Sequence, residues 1–337
     1  MHWKPFPAER GGAEWDSLLA GAYDDNPFQS SAWANYKRRM GWQPQRWIAE
    51  GNGNRILCAV QLLRRPLPLG RSLLWAPGGP VINFPESADE DWGDILSAGL
   101  KEIGQAHRAA YVRFYLLQSS SERAIQGLSR FCRPPRRRLG SGATVQLDLS
   151  LSMEQLQTGM DKKHRYLVRR LEENGFRWEW GTSESLISDL GRLHAEMSYA
   201  KRTLAVDRGD LQRLASAFRE NAPTLVGYVG DEAVTACLVL LKGQSAFYWR
   251  AATARKGREI SAAYAMIPQL FKLLSSRGVR RFDFGGILPG TPSAAGINHF
   301  KQGFGGKTVV YLGEWEWSNS SWIRWGVNAW VASRRRW

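Results

Sequence analysis

The sequence contains few cysteines and no long uninterrupted apolar segment. Its three cysteines, Cys58, Cys132 and Cys237, lie in or beside apolar runs without CxxC spacing. This pattern is typical of small core residues in a reducing compartment, so we expect neither a disulfide nor a zinc site. No run of about eighteen apolar residues occurs, and residues 1–7 lack the apolar core of a signal peptide. These absences predict a cytosolic protein.

Motifs for several common chemistries are also missing. The histidines at positions 2, 107, 164, 194 and 299 show no metal-ligand spacing, and no Gly-x-Ser-x-Gly elbow is present. The sequence Asp283-Phe-Gly285 matches a kinase metal motif, but no kinase phosphate loop or His-Arg-Asp sequence accompanies it. We therefore expect no bound metal and no cofactor, and we expect Asp283 to cap the following loop rather than to act as a base.

Positive charge, in contrast, is abundant. The 337 residues include 46 Lys and Arg against 31 Asp and Glu, a net charge of +15. Such an excess indicates a polyanionic partner, which charge alone does not identify among tRNA, nucleotide phosphates and an anionic membrane face. A hydrophobic content of 43% over this length is enough for two domains with separate cores.

Two parts of the chain repeat one order of predicted elements. In the first part, strands 46–50, 55–63 and 72–76 precede a helix within 92–107 and a strand at 111–117. In the second, strands 225–229, 233–241 and 246–251 precede a helix from about 261 to 277 and a strand at 279–284. The offset is roughly 170 to 178 residues throughout, which predicts two copies of one βββαβ unit.

A basic helix is predicted between the two repeats. Ser152 and Gln155 form a capping box, an apolar face follows, and Gly175 ends the helix. The apolar residues are Leu156, Met160, Leu167 and Leu171, and the opposite face carries Lys162, Arg165 and Arg169. The cationic face indicates either a solvated surface or a contact with a tRNA backbone.

The most informative segments are Arg281-Phe-Asp-Phe-Gly-Gly286 and Phe300-Lys-Gln-Gly-Phe-Gly-Gly306. Five glycines around Lys301 predict a loop whose backbone approaches a ligand closely while one cation is presented to it. A pair of turns in which glycine only supplies positive φ is the alternative interpretation. Because the loop follows a predicted buried strand, we favour the interpretation as a ligand-binding loop.

Taken together, the motifs resemble the Fem aminoacyltransferase family, which adds amino acids from tRNA to the peptidoglycan stem peptide. The matching segments span nearly the whole chain and are residues 26–42, 76–81, 162–175, 281–286 and 300–306. The resemblance implies an α+β fold of two tandem acetyltransferase-like (GNAT) domains, each a mixed sheet flanked by helices, with an interdomain cleft. The implied domains are 1–148 plus 313–337 and 149–312. Sustained heptads are missing, which indicates the compact type without a coiled-coil arm.

Residue roles follow from the resemblance position by position. Lys301 matches the lysine at the reacting centre, and Tyr248 matches a tyrosine that lines the cleft. Lys37 and Arg202 match residues that bind the phosphates of the acceptor. The tyrosine that usually follows Arg202 by one turn is absent, since Val206 stands near its place.

The implied reaction transfers an amino acid from aminoacyl-tRNA to UDP-MurNAc-pentapeptide or lipid II, catalysed by a monomer. One alternative is an acyl-CoA-dependent N-acyltransferase, whose pyrophosphate-binding turn would fall near residues 258–263, where Ser261 replaces the central glycine. A non-catalytic RNA-binding protein is a further alternative, against which the intact Lys301 segment argues.

The C-terminal segment is rich in tryptophan. From Trp322 onward, apolar residues recur at helical spacing before the basic segment 334–336. This pattern predicts a terminal helix that either packs on the protein or makes a peripheral contact with the inner face of a membrane.

Overall fold

The computed structural model describes residues 2–20, 26–51, 55–82, 92–171, 175–200 and 207–333. The chain forms two compact units, Met1–Ala143 with Val310–Trp337 and Thr144–Val309. In both units a mixed sheet is flanked by helices, so the predicted α+β class is confirmed. The units divide the chain within a few residues of the domain limits given above.

The elements are numbered in chain order. The strands are β1 (His2–Pro5), β2 (Gln43–Glu50), β3 (Ile56–Pro66), β4 (Ser72–Ala76), β5 (Val81–Ile82), β6 (Ala109–Ser119), β7 (Ala143–Asp148), β8 (Arg177–Gly181), β9 (Thr224–Val229), β10 (Glu232–Lys242), β11 (Ser245–Thr253), β12 (Arg281–Ile287) and β13 (Lys307–Ser318). The helices are α1 (Gly11–Leu19), α2 (Ser31–Arg38), α3 (Trp92–Ala106), α4 (Glu122–Ser129), α5 (Met153–Gly159), α6 (Lys162–Leu171), α7 (Glu184–Ala200), α8 (Arg208–Phe218), α9 (Arg255–Glu259), α10 (Ala262–Ser276), α11 (Ala295–Gln302) and α12 (Ser321–Ser333).

The first unit contains a sheet in the order β1-β2-β3-β4-β6-β13. Neighbours are antiparallel except for β4 and β6, which are parallel with Leu74 opposite Val112. A parallel pair needs a crossover connection, and α3 supplies it. β13 brings the C-terminal part of the chain to this sheet, where Trp315 pairs with Phe114.

The second unit repeats this arrangement. Its strand order is β7-β12-β11-β10-β9-β8, with β9, β10 and β11 antiparallel and β11 parallel to β12. Helix α10 makes the crossover between β11 and β12, as α3 does between β4 and β6. The predicted βββαβ repeat is therefore confirmed, element by element.

Burial explains why the repeat was visible in the sequence. Residues 233–240 of β10 are all buried, as are residues 57–63 of β3. Strands covered on both faces read as continuous apolar runs. Cys58, Cys132 and Cys237 are free and buried, as expected of core residues.

The predicted basic helix is two helices in the structure, α5 and α6. The capping box of Ser152 and Gln155 is present at the start of α5. The break comes at Asp161, whose side chain accepts a hydrogen bond from the backbone N–H of His164 at 2.8 Å and so starts a new helix. Leu156, Met160 and Leu171 are buried as predicted, whereas Leu167 is only partly buried. His164 and Val168 complete the buried face of α6.

Within the described residues, no helix has the length and apolarity needed to cross a membrane.

Candidate functional site

Lys301 lies in the last turn of α11 rather than in the predicted loop, and its side chain returns to the end of β12. It is only 8% exposed. Its Nζ donates hydrogen bonds to the carbonyl oxygens of Gly285, at 3.2 Å, and Gly286, at 2.7 Å. The two glycine-rich motifs of the sequence thus meet at one ammonium group.

The surroundings of Lys301 set its charge state. Burial lowers the pKa of Lys301 to about 8, and the nearby charge of Asp283 partly opposes this shift. An ammonium group carries three N–H donors. Two are used by the carbonyl groups of Gly285 and Gly286, and the described residues provide no further acceptor for the third. One N–H of this titratable cation is therefore left without an acceptor among the described residues.

Asp283 is committed to structural hydrogen bonds. Its carboxylate accepts from the hydroxyl of Thr144, from Nε2 of Gln146 at 3.1 Å and from the backbone N–H of Gly285 at 2.7 Å. The last of these bonds caps the loop that carries the carbonyl groups facing Lys301. This agrees with the expectation that Asp283 caps the loop rather than acting as a base.

Most glycines around Lys301 accommodate the protein itself, which differs from the sequence-based interpretation. A methyl group on Gly303 would lie 2.0 Å from the His164 ring, and one on Gly305 would lie 2.5 Å from the carbonyl oxygen of Gly159. Gly306 is similarly close to Val145. These positions need glycine because backbone and side chains of the same unit pack against them. Packing within the unit therefore explains these three glycines without a ligand.

Gly285 differs from those positions because it borders the ammonium group. Its φ is +69°, and an added methyl group would lie 3.1 Å from the backbone carbonyl oxygen of Tyr248 and 4.0 Å from Nζ of Lys301. Left-handed backbone favours glycine here, and it turns the carbonyl groups of β12 toward the lysine.

Tyr248 lies next to this region, on β11. Its ring packs edge-on against Phe282 and Phe284, with centroids 6.1 and 5.8 Å apart. Burial raises the pKa of Tyr248 well above its ordinary value, so the phenol remains neutral. The tyrosine thus shares an aromatic cluster with the strand that holds Lys301, and its predicted substrate contact stays a prediction.

Lys37 is buried in an aromatic cage in the first unit. It lies on α2 and is 2% exposed. Its Nζ lies 5.0 Å from the ring centroids of Trp33 and Tyr36 and 5.3 Å from that of Trp75. Cation–π contacts of this kind partly replace the water that the ammonium loses. The predicted contact of Lys37 with phosphate therefore requires a ligand that reaches into the cage.

The remaining predicted site residues are Arg202 and the three cations of the basic helix. Arg202 lies outside the described residues. Lys162 and Arg169 are exposed on α6. Arg165 instead donates hydrogen bonds to the carbonyl oxygens of Thr158 and Met160, and so satisfies the end of α5. Its guanidinium group is thus engaged by the protein, which leaves Lys162 and Arg169 as the better candidates for an RNA contact.

A buried histidine that the sequence did not single out connects α6 to the Lys301 segment. The His164 ring is fully buried, with Nδ1 2.8 Å from Oδ1 of Asp161 and Nε2 3.1 Å from the carbonyl oxygen of Phe300. Phe300 directly precedes Lys301. Burial raises the pKa of Asp161, but the hydrogen bonds from His164 outweigh this effect and lower it overall. We conclude that His164 positions the end of α11.

His299 completes a group with Asp161 and His164 that the sequence spacing did not reveal. Their ligand atoms lie within 4.8 Å of one another, which is close enough for a metal ion. Both nitrogen atoms of His164 already face protein acceptors, however. These contacts indicate that the group supports α11. Only the Asp-x-x-His spacing of residues 161 and 164 could have indicated the pair.

Comparison with known proteins is informative about the fold. Residues 159–302 match the acetyltransferase (GNAT) domain family. The structure is similar to that of FemX, with a TM-score of 0.83 and 15% identity over 97% of this chain and 100% of that chain. It is also similar to the C-terminal domain of a putative lysylphosphatidylglycerol synthetase from Agrobacterium fabrum, with a TM-score of 0.55 and 14% identity over 96% and 97% of the two chains.

A tandem GNAT protein from the clavulanic acid biosynthesis pathway gives a TM-score of 0.57 and 12% identity over 95% of this chain and 98% of that chain. No curated protein sequence matches the chain significantly. The tandem GNAT fold implied by the sequence motifs is confirmed by these structures, and the chain has an acyltransferase fold.

Proposed function

Because the chain shares the tandem acetyltransferase fold of FemX over almost its whole length, we propose that it transfers an amino acid from aminoacyl-tRNA to an amine of the peptidoglycan stem peptide. The observation that carries this proposal is the environment of the Lys301 ammonium group. A buried cation held by two backbone carbonyl groups, with one donor left over, suits acyl transfer from an already activated ester. Such a reaction needs orientation and charge stabilisation more than a strong nucleophile of the enzyme.

In the proposed reaction, the acceptor amine attacks the ester carbonyl carbon, an amide bond forms and the bond to the ribose oxygen breaks. Lys301 stabilises the negative charge that develops on oxygen. With a pKa of about 8, the side chain is mostly protonated at pH 7, yet it gives up a proton more readily than an ordinary lysine. It can therefore protonate the departing ribose oxygen, while the proton of the amine passes to solvent.

The other predicted residues bind the two substrates in this proposal. Lys37 and Arg202 hold the phosphates of the acceptor, and Tyr248 contributes to the substrate-binding surface near Lys301. Lys162 and Arg169 contact the tRNA backbone, since both are exposed on one helix with flanking cations at positions 163 and 170. The product has one more amino acid on its stem peptide.

The structure gives a reason to rank an acyl-CoA donor lower. A CoA pyrophosphate would need free backbone N–H groups in the turn before α10. That turn is helical in this chain, as α9, and the N–H groups of residues 258, 260 and 261 donate to the carbonyl oxygens of residues 254, 256 and 258. A methyl group on Gly257 would lie 2.2 Å from a carbonyl oxygen of β10, so α9 is also tightly packed.

The donor and the acceptor can be tested together. Purified protein is incubated with charged tRNA or with acetyl-CoA, each with UDP-MurNAc-pentapeptide and, separately, with lipid II, and the products are weighed. We expect a mass increase of one or more aminoacyl residues with charged tRNA only. An acyl adduct formed only from the thioester would refute the proposal, and uncharged tRNA serves as the control.

The pH dependence of turnover should report Lys301. Since the ammonium form is the active one, kcat is expected to fall as the pH rises through about 8. Single-turnover rates are measured from pH 6 to 10 and corrected for spontaneous ester hydrolysis. In Lys301→Arg the guanidinium stays charged, so any remaining activity should lack this decline. If Lys301→Arg keeps the same decline, another group is responsible.

A further inference from the structure

An open cavity of about 580 Å³ lies in the first unit, on the side of the sheet that α3 covers. Helix α3 contributes one stripe of residues to it, at helical spacing: Ser97, Leu100, Lys101, Gly104 and Gln105. Phe131 and Trp317 also line the cavity, and both pack against the core beneath α3. A cavity of this size is typical of small-molecule sites, which measure roughly 300–1,000 Å³.

Three cations border this cavity, and none of the described residues that line it is Asp or Glu. Arg71 directly precedes β4, Arg108 directly precedes β6, and Lys101 is the third. All three are exposed, and none of them forms an ion pair with another described residue. A methyl group on Gly70 would lie 3.1 Å from Nη1 of Arg108, so this guanidinium group lies next to the residue before Arg71. Neighbouring cations of this kind bind phosphate, because they supply charge and several N–H donors.

Arg108 occupies a backbone position that favours glycine. Its φ is +47°, and it follows the last residue of α3 by two positions. The second unit has Gly278, with a φ of +76°, at the same distance from the end of α10. Left-handed backbone costs stability in any residue that carries a Cβ atom. The first unit therefore has the less stable residue at this position, and that residue places a guanidinium group at the cavity.

Gly104 is a second residue that packing does not explain. Glycine inside a helix is less favourable than alanine. Gly99, on the same helix, is required by packing, since an added methyl group would lie 2.7 Å from the Trp3 ring. A methyl group on Gly104 would meet no other described segment within 4 Å. Locally unfavourable residues of this kind are expected at functional sites, and Gly104 leaves room in the cavity.

We infer that this cavity binds a nucleotide, which combines a phosphate ester with a planar ring. The phosphate lies among the three cations. The base lies against Phe131 and Trp317, because aromatic side chains stack on the face of every base. Gln105 and Asn319 carry amide groups, which donate and accept hydrogen bonds as base edges do. A phospholipid headgroup would use the cations but has no planar ring for the aromatic side chains.

The cavity is separate from the aromatic cage of Lys37. In β4, Leu74 pairs with Val112, and both belong to the core beneath α3. Trp75 borders Lys37 and is the next residue of the strand, so it points to the opposite side of the sheet. The inference therefore concerns a different site from the proposed acceptor contact of Lys37, and it does not depend on the transfer reaction.

Isothermal titration calorimetry of the full-length protein tests the inference. The probes are the four ribonucleoside 5′-monophosphates, the corresponding nucleosides and inorganic phosphate. We expect at least one mononucleotide to bind about tenfold or more tightly than either of its parts, because stacking and charged contacts both contribute. Arg71→Gln with Lys101→Gln should weaken this binding roughly 30-fold or more, since two charged donors are lost.

Arg108→Gly separates a binding role from a structural one. The variant loses the cation and has, at the left-handed position, the residue that the second unit uses. Binding should weaken about 10- to 100-fold, whereas Tm should stay the same or rise by up to about 4 °C. Leu69→Gly is the matched control, because Leu69 has a φ of +59°, is 88% exposed and does not line the cavity. It should change Tm in the same direction and leave binding unchanged.

A second control addresses general electrostatic attraction. Arg55→Gln with Arg123→Gln removes two positive charges from exposed positions outside the cavity. This variant should bind the mononucleotide nearly as the unchanged protein does. Equal weakening by this pair and by Arg71→Gln with Lys101→Gln would show that the cavity is not a specific site.

Three further results would overturn the inference. If no mononucleotide binds, or if inorganic phosphate binds as tightly as all of them, the cavity is not a nucleotide site. If vesicles containing phosphatidylglycerol bind through Arg71 and Lys101 while mononucleotides do not bind, a phospholipid headgroup is the ligand. If Arg108→Gly binds normally and lowers Tm, Arg108 supports the fold rather than the ligand.

Discussion

Lys301→Met is expected to lower turnover by about 100- to 1,000-fold, the usual consequence of removing one charge-stabilising donor from an acyl-transfer site. The side chain keeps its length and its packing but loses the ammonium group. Because the interaction develops in the transition state, kcat should fall while KM for the acceptor changes little. Single-turnover aminoacyl transfer measures this effect.

The same substitution is expected to leave thermal stability nearly unchanged. The pKa of Lys301 is about 8 in the folded protein against 10.5 for an ordinary lysine, so the folded state binds this proton less tightly than the unfolded state. Between these values stability rises with pH, and below about 8 the full penalty applies. The penalty is at most about 3 kcal/mol. Lys301→Met removes this penalty but leaves the two carbonyl groups without their donor, at about 1–3 kcal/mol each, so we expect a net change within about 1 kcal/mol.

A change of this size moves Tm by at most about 4 °C for a unit of this size. Lys307→Met, an exposed lysine six residues further along, is the matched control and should change neither turnover nor Tm appreciably. If Lys301 serves the reaction, Lys301→Met loses turnover and stays folded. If Lys301 serves the structure, the variant loses stability. Normal turnover with an intact fold, or a clear loss of stability in Lys301→Met, would show that Lys301 supports the structure rather than the reaction.

The sequence predicted the repeated part of the fold because local patterns determine it. Strands β3 and β10 are buried on both faces and appear as apolar runs, and short turns next to them fix the hairpins. The terminal helix was predicted for the same reason. In contrast, β7 and β13 flank the repeats with mixed patterns, and their pairing depends on partners far away in the chain.

The candidate site was only partly predictable. Lys301 and the two motifs that meet there could be named, because an isolated lysine among glycines is unusual in a sequence. The role of each glycine could not be named, since it depends on which atoms of distant segments pack against it. His164 was missed for this reason, because its partner Phe300 lies 136 positions away.

Gly305→Ala is expected to destabilise the second unit by about 2–5 kcal/mol. Its φ of +88° is unfavourable for alanine, which costs roughly 1–2 kcal/mol. The methyl group would lie 2.5 Å from the carbonyl oxygen of Gly159, a backbone atom that cannot rotate away, and such overpacking adds about 1–3 kcal/mol. Urea denaturation measures the change in the free energy of unfolding.

Gly296→Ala is the matched control, because Gly296 lies in α11 with no atom within 4 Å of an added methyl group. Alanine favours a helix by up to about 1 kcal/mol over glycine, so this variant should be slightly more stable. The two variants separate two explanations of the glycine-rich segment. If Gly305 served only a ligand, Gly305→Ala would fold normally and lose activity alone. If Gly305 serves packing, as the contact with Gly159 indicates, activity and stability fall together, and the Lys301 ammonium is positioned by a rigid segment.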